Sequence, residues 1–203
     1  MSYLSVHEFG KFTPENFAKL RVLTNFIKNE AYNYLREKIH LGYMVGAFHS
    51  IIGDMIVMIL YVVGSDIIRI EKEVETFLTN FEIRVKNLKE IELVGYKKNF
   101  IAMYEQPFVT LASEAMFDFS LIKHNKDQML DNNLRKNIIK NVKKLTVKDM
   151  YDSFIQGVKN SRRCVYEYLP KELKGTKINE KNSYNGKKVV IEQSSSQNPQ
   201  KKN

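Results

Sequence analysis

Cysteine is almost absent. Cys164 is the only one in 203 residues, which excludes an intrachain disulfide and a four-cysteine zinc site. It is also what a reducing compartment such as the cytoplasm favours. Histidine is scarce too: His7, His40, His49 and His124. None of them forms H-x-x-E-H, H-E-x-x-H or an i, i+4 pair, so no catalytic zinc held by this chain alone is expected. No G-x-S-x-G, P-loop or G-x-G-x-x-G occurs. The opening "MSYLSVHEFG" lacks the basic and apolar runs of a secretory signal. The longest apolar run, "MIVMILYVVG" at 55–64, is too short to span a bilayer as a helix, so no membrane partner is expected.

Charge is not scarce, but its placement matters. The net charge is +9. Residues 171–203 hold eight Lys and three Glu, giving +5, and the other 170 residues carry +4. The excess therefore lies largely in a polar tail, rather than on a basic face with interleaved aromatics, and no nucleic-acid partner is expected.

The pattern of the remaining residues is that of a globular chain. "SYLSVHE" alternates as a strand, with Tyr3, Ser5 and His7 on one face and Leu4 and Val6 on the other. Thr13-Pro14 begins a helix as N-cap and first-turn proline. Phe17, Leu20, Leu23, Phe26, Ile27, Ala31 and Tyr34 then repeat at helical spacing, predicting a helix from 14 to about 38. Two strands come next: "LGYMVGAFH", and an apolar strand over 54–63 that reads as buried on both faces. Ser65 or Asp66 caps a second helix with Ile70, Val74, Phe77, Leu78, Phe81 and Val85 as its buried stripe.

A further helix starts near Leu88. Pro107 interrupts it, ending one helix near Tyr104 and opening another to about Ile122. A polar linker, a short helix over 132–143 and a Thr146/Asp149 capping-box helix to about 159 come after it. "RCVYEYL" closes as a strand. Residues 171–203 read as a basic, mostly disordered tail, with a small hairpin possible around Asn185-Gly186. Strands and helices are segregated, which predicts an α+β domain over 1–170: an antiparallel sheet covered by helices on one face.

One stretch breaks the pattern. "LREKIHLGYMVGAFHS" puts Arg36, Gly42, Tyr43 and Gly46 at a helix-to-strand junction. The two glycines sit four apart on one strand face. They accommodate either close packing of the body or a docked peptide backbone. Tyr43 offers a phenolic donor, and Arg36 a fixed positive charge that also suits a helix C-terminus.

In order and spacing, "FTPENFAKLRVLTNFIKNEAYNYLREKIHLGYMV" resembles the C-terminal half of insulinase/pitrilysin-type zinc metallopeptidases. In that family a long helix ends in an Arg and a Leu-Gly-Tyr opens the next strand. Here Tyr43 of Leu41-Gly42-Tyr43 stands seven residues after Arg36. The Pro-broken "MYEQPFVTLASEAMFDFSLI" and the "LTVKDMYDSF" helix before a closing strand come in family order. Ile39 and His40 stand where the family often carries Glu-Gln.

The resemblance implies an insulinase-like, mitochondrial-processing-peptidase-like α+β fold, here truncated at its N-terminal side. It implies peptide substrates and a partner N-terminal half of the same polypeptide that holds the zinc, with no metal in this chain. Carried over, Arg36 and Tyr43 are the catalytic contacts to substrate backbone and tetrahedral intermediate, with Leu41 and Gly42 as substrate-binding residues. The alternative is a non-catalytic peptide-binding or assembly module of the same fold.

Overall fold

The computed structural model describes residues 1–105, 134–161, 163–169 and 186–192, with Thr110 and Ala112. Its centre is a sheet in the order β2-β3-β1-β4-β5. The strands are β1 (Ser2–Lys11), β2 (Met44–Ile52), β3 (Met55–Val63), β4 (Arg163–Leu169) and β5 (Gly186–Glu192). The first four pair antiparallel, β1 lying between β3 and β4. The helices are α1 (Pro14–Ala31), α2 (Ile67–Lys86), α3 (Glu90–Glu105), α4 (Leu134–Lys144) and α5 (Val147–Phe154). This is the expected α+β arrangement.

Local signals explain the helix starts. Thr13 Oγ1 accepts the Asn16 N–H at 3.0 Å, with Pro14 beginning the helix behind it. Asp66, rather than Ser65, caps α2 through the Arg69 N–H. Thr146 and Asp149 form a full capping box at the start of α5. Caps of this kind contribute about 1 kcal/mol each. Ile70, Val74, Phe77, Leu78, Phe81 and Val85 are all buried, as the helical period requires. The core joins Phe26 of α1, Phe81 of α2 and Phe154 of α5, with ring centroids 4.9 and 5.3 Å apart. Arg84 of α2 bridges Glu30 of α1 and Glu92 of α3, tying three helices at the surface.

Two helices end differently from expectation. The run from 14 does reach Lys38, but its last seven residues, Tyr32–Lys38, are π-helix. The run from 147 likewise closes as π-helix over Ile155–Lys159. A π turn holds one extra residue and rotates the chain beyond it. β2 begins at Met44, so Leu41, Gly42 and Tyr43 form its approach rather than its first rungs. Within β3 the inner face, Ile56, Met58, Leu60 and Val62, is fully buried. Ile59, Tyr61 and Val63 on the other face are only partly covered, because the helices pack on one side.

The face of β1 that carries Tyr3, Ser5 and His7 turns inward, against the usual placing of polar side chains. Arg163 of β4 meets them there. It donates to Ser5 Oγ at 2.6 Å and to Tyr3 Oη at 2.7 Å, and pairs with Glu75 of α2. A buried cation is tolerable only with such partners.

The second helix opened by Pro107 and the linker lie outside the described residues, as does most of the segment 171–203. Within that segment Gly186–Glu192 forms β5 and runs parallel to β4, and the first arm of the expected hairpin around Asn185-Gly186 lies outside the described residues.

Candidate functional site

The junction between α1 and β2 is held from both sides. Leu35 is buried in the core and Leu41 nearly so. Between them the chain turns sharply: Ile39 N–H bonds Tyr34 O at 3.1 Å, and Leu41 N–H bonds Leu35 O at 2.8 Å. His40 takes a positive φ of 49°, a left-handed conformation uncommon for a residue with a side chain. Arg69 of α2 donates to Ile39 O at 3.0 Å and clamps the turn to the next helix.

Past the turn, Tyr43 N–H bonds Val63 O at 3.0 Å. Gly42 lies directly against the Val63 carbonyl, so a Cβ there would collide with backbone. Gly46 lies under the Tyr61 ring, where a Cβ would come 2.7 Å from the hydroxyl. Both glycines thus serve close packing within the body, and neither leaves a gap.

The result is a pinned loop that carries the side chains of Arg36 and Tyr43. Tyr43 is 66% exposed although its backbone is fixed. Arg36, from the last turn of the π segment, lies 5.8 Å over the Tyr32 ring and 3.7 Å from Glu37. Among the described residues no hydrogen bond or ion pair joins Arg36 to Tyr43, and the contacts of Arg36 are to Glu37 and the Tyr32 ring. A shallow groove of about 340 Å3 runs alongside, lined by Lys28, Tyr32, Asn33, Val45 and Tyr96. Leu41 and Gly42 contribute no exposed side chain. They set where Tyr43 stands.

Two further clusters escaped the sequence reading. Ser5 Oγ and His7 Nε2 are 2.8 Å apart, the reach of a nucleophile and its base. Both are fully buried, and Arg163 occupies the Ser5 oxygen, so the pair is a packing element and not a reactive one. Burial and the Arg163 cation hold the His7 pKa well below its usual value. The period-2 alternation of Arg163, Val165 and Glu167 was the available signal.

The second cluster is Arg21, which donates to the His49 ring and lies over Phe17, Phe100 and Tyr104. Burial, with Arg21 alongside, lowers the His49 pKa to about 3. Among the described residues no three His, Cys, Asp or Glu side chains converge to hold a metal ion. None of the described helices is long and apolar enough to cross a membrane.

Known proteins share this fold. The family described as PQQ synthase PqqF-like, C-terminal lobe domain 4, matches residues 22–117, a span that includes Arg36 and Tyr43. No curated protein matches the chain. The crystal structure of pitrilysin superposes with a TM-score of 0.68 at 20% identity, covering 93% of this chain and 20% of that one. The periplasmic protease PqqL from Escherichia coli gives 0.58 at 15% identity, over 77% of this chain and 18% of its own. The inactive peptidase domain of a putative zinc protease from Bordetella parapertussis gives 0.58 at 13% identity, over 77% of this chain and 86% of its own. The chain thus spans about a fifth of pitrilysin and of PqqL, and nearly the whole of a single inactive domain. At these identities the structures share the fold.

Proposed function

We propose that this chain, which shares its fold with pitrilysin and with an inactive peptidase domain, is a C-terminal, zinc-lacking domain of an insulinase/pitrilysin-type peptidase and closes a peptide-hydrolysing chamber. In this reading Arg36 and Tyr43 meet the substrate backbone and the oxyanion formed at the cleaved bond. The described residues do not fit a metal, so the zinc would be held by an N-terminal half, and the work of this chain is to bind and orient.

The observation that carries the proposal is Tyr43. An aromatic residue two-thirds exposed is ordinarily loose, yet this one stands on a backbone clamped by Val63 and by the packing of Gly42. A hydroxyl donor carried on a fixed backbone has only its side-chain torsions to settle when substrate arrives, which limits reorganisation during reaction. Arg36 adds a permanent charge from a π turn, a local geometry often found at functional sites. Leu41 and Gly42 act in substrate binding by holding that donor in place. The domain closes the chamber by presenting this loop to the other half.

Arg36→Ala in the complete enzyme tests the proposal. The guanidinium would hold the peptide carbonyl in both ground and transition states, so KM should rise and kcat should fall. Unchanged values for both would remove Arg36 from the site. The alternative, a peptide-binding or assembly module without hydrolysis, predicts no inverted H-x-x-E-H motif in the accompanying half. Sequencing that half separates the two readings.

A further inference from the structure

β2 stands at one end of the sheet, with β3 as its only neighbour among the described strands. Its pairing with β3 is unbroken from Met44 opposite Val63 to Ile52 opposite Met55. Edge strands are normally guarded by charge, proline or a bulge, because their free N–H and C=O groups invite another strand. β2 has none of these. From Leu41 to Gly53 there is no Lys, Arg, Asp, Glu or Pro.

The outer face of β2 adds a second observation. Met44, Phe48 and Ile52 are exposed by 51%, 43% and 58%. Gly46 and Ser50 alternate with them. The sizes run large, small, large, small, large, and are symmetric about Phe48. An antiparallel copy of the same strand, related by a two-fold axis at Phe48, therefore pairs without conflict. Phe48 meets Phe48 of the second copy, Met44 meets Ile52, and Gly46 meets Ser50. Direct cross-strand neighbours interact most strongly, and apolar pairs gain where like charges would lose.

The ends carry charges of both signs. Arg36 and Lys38 precede the start of β2, and Asp54 comes after its end. Within one copy Asp54 lies 3.5 Å from Lys11 and Arg36 3.7 Å from Glu37, so the charges at both ends are matched internally and do not set like against like across the two-fold axis.

We propose that the β2 edge pairs with the β2 edge of a second copy of this chain, antiparallel about Phe48, giving one continuous sheet through an isologous dimer. Extended one residue further, the pairing sets Gly53 of the second copy opposite Tyr43. Self-pairing and peptide engagement at Tyr43 therefore exclude each other. The dimer itself does not depend on the peptidase reading.

Sedimentation equilibrium across the micromolar range tests this, with Phe48→Lys and Phe48→Glu beside the unaltered chain. The unaltered chain should dimerise. Each variant alone should be monomeric, because two like charges would face each other across the axis. An equal mixture of the two should dimerise again, now as a Lys–Glu pair. Phe48 is half-exposed, so melting curves of the variants should stay close to that of the unaltered chain. The proposal is overturned by a monomeric unaltered chain, by variants that dimerise as it does, or by a mixture that fails to re-associate.

Discussion

Gly42 shows how a single residue sets the candidate site. Its Cα lies against the Val63 carbonyl, and backbone cannot yield as a side-chain tip can. Gly42→Ala should cost about 1–3 kcal/mol, the usual range for overpacking. Urea unfolding measures it, and a neutral result would mean that β2 and β3 slide apart freely at this end. Tyr43→Phe should behave in the opposite way, changing stability by less than about 0.5 kcal/mol, as exposed sites do.

His7 and His49 add a pH term. Burial holds both folded-state pKa values below the unfolded value, His49 at about 3. Above roughly pH 6.5 both states are neutral and the stability is fully present. Below it the unfolded state binds protons that the folded state refuses, so stability falls as pH drops. Each histidine should contribute a slope of up to about 1.4 kcal/mol per pH unit between roughly pH 6 and 5. Unfolding free energies of the chain and of His49→Phe across that interval check the sign and the size. A flat profile would show that the rings are open to water.

Among elements, the sequence made legible whatever side chains announce. Thr13-Pro14, Asp66 and the Thr146/Asp149 box are local chemistry, and the stripe from Ile70 to Val85 is periodic. All of them stand as expected. The π turns were not legible, because one inserted residue leaves no side-chain signature and the apolar spacing through Tyr34 still suits an α-helix. The strand with Tyr3, Ser5 and His7 was legible as a strand, but its polar face turned inward for a partner 158 residues away from Ser5, and local pattern carries no such information. Leu-Gly-Tyr was found as a motif, yet it lies in a pinned loop because Arg69 and Val63 hold it there. Thr146→Ala breaks the capping box and should lower stability by about 1 kcal/mol. Thermal unfolding reports it, and no loss would mean that water replaces the cap.

At the scale of the molecule, the described helices cover one face of the sheet, and among the described residues no element covers its other face or the β2 edge. A sheet half-covered in this way suits a domain that works against something else, whether a second half or a second copy. We propose that the folded body ends with β4, and that β5 is an added edge strand. A chain stopped after Lys174 should then unfold cooperatively with a loss below about 2 kcal/mol, and a larger loss would make β5 part of the body.

The most direct test of the site is the turnover of a complete enzyme carrying Tyr43→Phe. The substitution removes one hydroxyl and keeps the ring. If that hydroxyl meets the oxyanion, kcat should fall by roughly 10²–10³ with little change in KM or in the melting curve. A kcat equal to that of the unaltered enzyme would contradict the proposed role, because the donor placed at the reacting bond would then be doing nothing there.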